Sequence, residues 1–423
     1  MTAVLLILPF VLLFLGFPIY LILFTTALLA LKFLSGGSAH IIQTAIFGSL
    51  DSFPLLAIPF FIFAGEIMGQ GGIAKRLIAW IEAVIGGVRG SLGLTTIASS
   101  GLCGAISGSS VGSIAAVGRV LFPALRSGGY GERFSISLIA SSGSIAVIVP
   151  PSIPLIIYGA TAQQPLTQLF LAGVVPAILV GIMEGTYVVS RARRQLVPVR
   201  SRIRWSNVWT ATKEAAWALG TPVVIFGGIY GGAFTPTEAA GVAVVYAIFV
   251  SRFIYRDVTW KGIWKIAATS AYLVAQILII VAAAGLYSWF LTTSGLPPRV
   301  VAGIMGWKLG VGGTLLLFNL LLLVVGSFLE PPAAILILTP LFMPVITALR
   351  VNPIHFGIIM AVNLSIGLFM PPFGLNLFAS HSLFKVPLSS IYRGVLPFLV
   401  INVAALILIT YIPPISLILL GRH

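Results

Sequence analysis

Ser144-Ile-Ala-Val-Ile-Val-Pro-Pro-Ser-Ile-Pro154 and Ser365-Ile-Gly-Leu-Phe-Met-Pro-Pro-Phe-Gly-Leu375 lie 221 residues apart, each inside a long apolar run. A prolyl pair in such a run breaks a helix, because each ring removes a backbone N–H and crowds the carbonyl one turn upstream. The echo extends beyond these stretches. Pro123, Pro150, Pro151 and Pro176 return at the same offset as Pro344, Pro371, Pro372 and Pro397, and Gly173-Val174 returns as Gly394-Val395. With small gaps, Ala64-Gly65 and Arg76 correspond to Ala284-Gly285 and Arg299. Four prolines at one spacing in like contexts indicate a duplication. The chain therefore divides into a first half, 1–190, a basic linker, 191–213, and a second half, 214–423.

Composition sets the medium in which these halves fold. Of 423 residues, 59% are hydrophobic and 8% charged, and the mean hydropathy is +1.11. A soluble domain carries about a quarter charged residues, so this is an all-α polytopic membrane protein. Residues 1–34 are almost continuously apolar, without the basic start or small-residue cleavage site of a secretory signal. They read as retained membrane structure, bent at Pro18. A straight span needs about 20 apolar residues to cross about 30 Å of hydrocarbon, and several apolar runs, such as 92–106 and 110–125, are shorter. Short paired runs around polar tips predict two re-entrant hairpins, and the Pro-Pro runs predict two broken helices. Irregular backbone at membrane depth survives only against protein or a watery cavity, so the pattern points to a buried polar site.

The formal charge of +15 is gathered in loops. Arg191, Arg193, Arg194, Arg200, Arg202, Arg204 and Lys213 crowd the linker, and Arg252, Arg256, Lys261 and Lys265 form a second cluster. Two spans, 215–233 and 237–254, separate the clusters, so both fit the cytoplasmic side by the positive-inside rule. A nucleic-acid surface does not follow from this distribution. A duplicated unit with an odd number of crossings inserts in opposite senses, which predicts two inverted-topology repeats, a plan recurrent among secondary transporters.

Gly227-Gly-Ile-Tyr-Gly-Gly-Ala-Phe-Thr-Pro-Thr-Glu-Ala-Ala240, Pro150-Pro-Ser-Ile-Pro154, Asn352-Pro-Ile-His-Phe-Gly-Ile-Ile359 and Pro371-Pro-Phe-Gly-Leu-Asn-Leu377, in this order and spacing, resemble the large membrane (M) subunit of TRAP (tripartite ATP-independent periplasmic) transporters, the DctM-like family. The resemblance covers nearly the whole chain. It implies an elevator-type, ion-transporter-superfamily-like architecture of scaffold plus transport domain, in a multi-pass protein of the bacterial inner membrane. It implies a sodium-coupled importer of an organic acid anion, such as a C4-dicarboxylate or sialic acid. The implied partners are a small membrane (Q) subunit on a separate chain and a soluble periplasmic substrate-binding (P) protein. Sodium ions, two or more, are the implied coupling ions, with no other cofactor. Thr235, Pro236, Thr237 and Glu238 belong to the family motif.

Sodium takes oxygen ligands, which broken helices supply from unwound carbonyls and hydroxyls. The first hairpin tip is Ser107-Gly-Ser-Ser110, facing the break from Ser141 to Pro151; the second is Leu329-Glu-Pro-Pro332, facing the break from Asn363 to Gly374. A first sodium site is expected at Ser107, Gly108, Ser109 and Gly143, and a second at Glu330, Gly367 and Pro371. Carbonyls upstream of the prolyl pairs are expected to be open to the cation. Substrate is expected between the tips, at Ser109, Ser110, Pro151 and Asn376, with hairpin helix N-termini directing partial positive charge at its carboxylate. Ser141, Ser142 and Ser144 are individually better read as close-packing residues. Glu238 follows Thr235-Pro-Thr and fits an acidic first turn behind an N-cap. Glu66, His355 and His381 fit interfacial positions.

Enzyme chemistry finds little footing. There is no Walker loop and no His-Glu-x-x-His, and Gly86–Gly93 lacks a βαβ setting. Cys103 is the single cysteine. Ser109 has no candidate base near it in sequence. The competing reading is a channel or a proton-translocating subunit of a larger complex, which would need ionisable residues strung through helix interiors.

Overall fold

The computed structural model describes residues 8–421 apart from 10, 14, 33–38 and 197–203. Residues 1–7 and 33–34 of the N-terminal apolar segment, and Arg200 and Arg202 of the linker, lie outside the described residues. The described residues are helical and contain no strand. Seven helical segments are long and apolar enough to cross a membrane: Phe53–Gln70, Leu166–Arg194, Pro236–Ile254, Trp260–Thr293, Gly310–Phe328, Pro331–Ala348 and Leu388–Tyr411. Pro331–Ala348, expected as a hairpin arm, thus also qualifies as a span by length and composition.

Two groups of helices pack against one another. The first comprises α1 (Ile19–Ala30), α2 (Ala39–Leu50), α3 (Ala57–Gln70) and α4 (Ile73–Ile85), together with α10 (Trp205–Tyr230), α11 (Pro236–Phe249), α12 (Trp260–Thr293) and α13 (Leu296–Gly306). In it α3 lies along α11, α4 along α10, and the long α12 backs α1, α2 and α3. The second comprises α5 (Ser91–Ser107), α6 (Ser110–Ser127), α7 (Glu132–Ile145), α8 (Ile153–Ala162) and α9 (Leu166–Arg194), with α14 (Gly310–Phe328), α15 (Pro331–Ala348), α16 (Pro353–Gly367), α17 (Leu375–Phe384), α18 (Leu388–Tyr411) and α19 (Pro414–Leu417). Here the two halves of the sequence interleave: α7 packs along α18, α8 along α15, and α17 sits against α6 and α7. Helices α3 and α4 meet α5, while α12 and α13 meet α15, which joins the groups.

Local chemistry explains where the helices start. Pro18 stands just before α1, where its missing N–H costs nothing. Thr235 and Glu238 form a capping box at α11: Thr235 Oγ1 accepts from the Glu238 N–H at 3.3 Å, and the carboxylate accepts from the Thr235 N–H and hydroxyl, both at 2.8 Å. Asn352 Oδ1 caps α16 by accepting from the N–H groups of Ile354 and His355, at 2.8 and 3.3 Å, with Pro353 in the first turn.

Both prolyl pairs interrupt a helix: α7 gives way to α8 around Pro150-Pro151, and α16 to α17 around Pro371-Pro372, with cis bonds within both pairs. Each interrupted helix is crossed at close range by the first arm of a hairpin. A Cβ on Gly104 of α5 would run into Ala146, and a Cβ on Gly367 would run into the backbone of Gly326 on α14. Small residues at a crossing let helix backbones approach where no hydrophobic force drives them together. Ala146 and Gly367 are themselves 221 residues apart.

Candidate functional site

The first tip is a turn of two residues. Gly108 ends α5 in the left-handed region, at φ 60°, with its N–H donating to Gly104 O at 2.7 Å; glycine enters that region without a Cβ penalty. Ser109 is extended and caps α6, its Oγ accepting from the Gly112 N–H at 3.2 Å. The Ser107 hydroxyl folds over the turn, accepting from the Ser109 N–H at 3.3 Å. Ser107 and Ser109 are thus engaged within the tip itself.

Ser110 reaches outward and connects three elements. Its Oγ lies 2.9 Å from the Gly143 carbonyl of α7 and 2.8 Å from Asn376 Oδ1 of α17. The Asn376 Nδ2 donates to Ala140 O at 2.9 Å, which fixes the amide so that its oxygen faces Ser110. Three oxygens therefore converge around one hydroxyl proton, and Gly143 O also accepts the Ala146 N–H at 3.3 Å. Ser110 and Asn376 are buried, at 6% and 0% exposure. The structure brings Ser110, Gly143 and Asn376 together from both halves of the sequence; sequence reading had assigned them to two different ligands.

Three of the carbonyls one turn upstream of the prolyl pairs are paired, contrary to the expectation from proline chemistry. Val147 O accepts the Ser152 hydroxyl, and Leu368 O, at the equivalent position, accepts the Asn376 N–H at 2.8 Å. Gly367 O accepts the Met370 N–H at 3.1 Å. The turns that follow each break satisfy these acceptors from within, since a buried carbonyl left unpaired is costly. Pro151 is buried in the first break.

The second tip is built differently. Glu330 precedes α15 in extended conformation, followed by Pro331 and Pro332, and its side chain makes no capping bond. It is exposed to a cavity of about 400 Å³ lined also by Ser327, Gln276, Leu368 and Phe373. Gly367 and Pro371 are not among the residues lining it. The first tip borders a separate cavity of about 290 Å³, where Ser107 and Gly112 face Glu66, Gln70 and Arg119. The two cavities share no lining residue, so the tips do not enclose one common space.

Sequence reading passed over several polar residues. Arg119 and Glu66 line the first cavity; an arginine nine residues into a hairpin arm was the available signal. His355 is buried within the protein and satisfied: one ring nitrogen lies 2.6 Å from Ser416 Oγ and the other 3.3 Å from Thr410 O. Asn319 donates to Thr410 Oγ1 at 3.0 Å and accepts from Asn363 at 2.8 Å, continuing that network across α14 and α16. His381 is exposed, beside Val386 O at 2.8 Å. Among the described residues no group of three or more His, Cys, Asp or Glu side chains could hold a metal ion.

The sequence matches the family described as "Tripartite ATP-independent periplasmic transporter, DctM component" over residues 6–415. A C4-dicarboxylate TRAP transporter large permease protein of Pseudomonas aeruginosa is 39% identical over 391 residues, covering 92% of this chain and 91% of that protein. An ectoine TRAP transporter large permease protein of Halomonas elongata is 36% identical, with 96% of each chain covered. An isethionate TRAP transporter permease protein, DctMQ, of Oleidesulfovibrio alaskensis is 37% identical over 89% of this chain but only 59% of its own length. In three dimensions the chain resembles the crystal structure of the Alcanivorax borkumensis YdaH transporter, with a TM-score of 0.65 at 14% identity, over 92% of this chain and 90% of that one. That likeness is one of fold.

Proposed function

The chain belongs to the DctM-component family of tripartite ATP-independent periplasmic transporters, and from that premise we propose that it imports a small organic anion across the bacterial inner membrane, driven by sodium. It is a membrane transporter subunit, a large permease and not an enzyme. The substrates named for relatives differ, being C4-dicarboxylate, isethionate and ectoine; two of these are anions, and Arg119 beside the first tip offers a cation to such a group.

The observation that carries the sodium reading is the cluster of Ser110 Oγ, Gly143 O and Asn376 Oδ1. Three converging neutral oxygens, two of them carbonyl acceptors, suit an alkali cation. Ser107, Gly108 and Ser109 hold the turn that presents them. At the second tip Glu330 supplies a carboxylate, and Gly367 and Pro371 shape the facing break; this is the proposed second cation site. Substrate sits beside the first tip, against Ser109, Ser110, Pro151 and Asn376, none of which lines the first cavity. The helix groups correspond to a scaffold (α1–α4, α10–α13) and a transport domain (α5–α9, α14–α19) of an elevator. The 221-residue spacing supports two inverted repeats, 1–190 and 214–423, joined by the linker 191–213.

The partners are a periplasmic binding protein and a small membrane subunit. The chain covers 91% and 96% of two relatives named large permease and 59% of the protein named DctMQ. The linker and the segment near Lys261 both face the cytoplasm. With Cys103 replaced, cysteines at Arg204 and Lys261 should label from the same side; opposite labelling would refute the topology.

The decisive experiment is uptake by proteoliposomes containing this chain, its small subunit and its binding protein. Accumulation should require an inward sodium gradient, and uptake indifferent to any gradient would refute ion coupling. Ser109→Trp should abolish uptake while membrane insertion persists.

A further inference from the structure

Glu184 lies in α9, seven residues before Arg191, where the basic linker begins, and so about 10 Å along the helix from it. It is 0% exposed, inside the second helix group. Its Oε1 accepts from Asn402 Nδ2 of α18 at 2.8 Å. The same Nδ2 donates to Phe398 O at 2.9 Å, so the amide cannot be turned over without setting its oxygen against that carbonyl. Two buried acceptors remain without a partner: Glu184 Oε2 and Asn402 Oδ1, the second oxygen of each member of the pair.

No cation compensates the carboxyl. Among the described residues the ion pairs are Arg76–Asp257 and Arg126–Glu132, both elsewhere. The titratable groups on the elements packed against α9 are engaged or face outward. Arg191, two turns further along α9, donates from one guanidinium nitrogen to the Tyr187 hydroxyl at 3.1 Å and lies over the Phe134 ring, while its Nε is buried without a partner. Arg133 of α7 and Arg393 of α18 are exposed. Tyr392 and Tyr411 of α18 donate to Pro372 O and Gly312 O, and Tyr158 of α8 to Pro353 O. His355 of α16 is held by Ser416 and Thr410, and Cys103 of α5 packs among Ile78, Val117 and Leu121. The Ser141 hydroxyl of α7 donates to Leu138 O at 3.2 Å and lies beside the carboxyl. Turned toward Glu184, it would add one neutral donor and still leave Asn402 Oδ1 with none.

An ionised carboxylate at membrane depth without a cation is costly, and so is an orphaned amide oxygen. One proton on the carboxyl removes both costs: the acid O–H becomes a donor, and the amide oxygen is the acceptor that lacks one. We infer that Glu184 is a proton-binding site and that the neutral acid–amide pair it forms with Asn402 braces α9 against α18.

The test is infrared absorption of the purified full chain in detergent, exchanged into heavy water near neutral pH with potassium chloride. A protonated carboxylic acid has a carbonyl stretch distinct from carboxylate and amide bands, and the wild type should show one that Glu184→Gln lacks. Absence of that band from the wild type, or its persistence in E184Q, would overturn the inference. So would its loss when sodium chloride replaces potassium chloride, which would mean that a cation sits where the proton was placed. Thermal stability reads the same point differently. Glutamine reproduces the neutral acid, an acceptor beside a donor, so Glu184→Gln should melt within about 2 °C of the wild type. Glu184→Ala and Asn402→Ala each strand a buried polar group and should melt several degrees lower. An E184Q protein that does not fold, or melts as low as E184A, would show that the charge itself is needed, and the inference fails.

Discussion

The two hairpin tips use one backbone device for two chemistries. At the first, α5 and α6 lie side by side, and four consecutive small residues close the turn with their own hydroxyls and amides. Ser110 then binds α7 and α17 together, so the tip is locked to both halves of the sequence. At the second, α14 lies along α16 instead of along α15, and the turn is stiffened by Pro331 and Pro332 with no side-chain cap. Its polar group, Glu330, stands free in a cavity. One tip offers fixed neutral oxygens and the other a charge on a movable side chain. Ligands can be held either by organised dipoles or by net charge, and an internal duplication lets one chain carry both.

Five substitutions would break or sharpen this contrast. The largest effect should come from the crossings beneath the tips. Gly367→Val drives a side chain into the Gly326 backbone, and Gly104→Val does the same against Ala146. Overpacking of this kind costs about 1–3 kcal/mol or more, so both proteins should be recovered in low yield and melt early. A Gly367→Val protein with wild-type yield and melting would show that α14 and α16 can part. Next comes Asn376→Leu, which removes the bond from α17 to the Ala140 carbonyl and unties the first tip from α17. Losing a buried hydrogen bond costs about 1 kcal/mol, and uptake in proteoliposomes should fall about tenfold or more. Uptake near wild type would reduce the Ser110–Asn376 link to packing.

Glu330→Gln should act more gently. The side chain is exposed and caps nothing, so melting should not change, while uptake should fall a few-fold and require more sodium. An unchanged sodium requirement would assign the second tip to structure alone. Thr235→Ala should matter least. It removes one side of the α11 capping box, worth about 1 kcal/mol, and should lower the melting temperature slightly while leaving uptake intact. Lost uptake in a well-folded Thr235→Ala protein would mean that the motif does more than begin a helix.

Much of this architecture could be read along the chain because the signals are local. Apolar run length marks spans, prolyl pairs mark breaks in α7–α8 and α16–α17, and Thr235-Pro-Thr-Glu238 marks a capped helix start. Each depends on residues within a turn or two of one another. The tip at Ser107–Ser110 was visible for the same reason.

What lay hidden were pairings between distant segments. Ser110 with Asn376, His355 with Ser416, Gly326 with Gly367 and Glu184 with Asn402 are separated by 41 to 266 residues. Proline chemistry by itself says that upstream carbonyls lose a donor, and it cannot say that Ser152 and the Asn376 N–H replace it. Nothing near Glu184 in sequence announces that its carboxyl is enclosed, since the helices that enclose it belong partly to the other half of the chain. The sequence determined the medium, the breaks and the repeat, because chain-local sterics and transfer free energy act residue by residue. Only the tertiary structure decided which oxygens face one another and which are left without a proton, because that balance is struck between groups the chain brings together last.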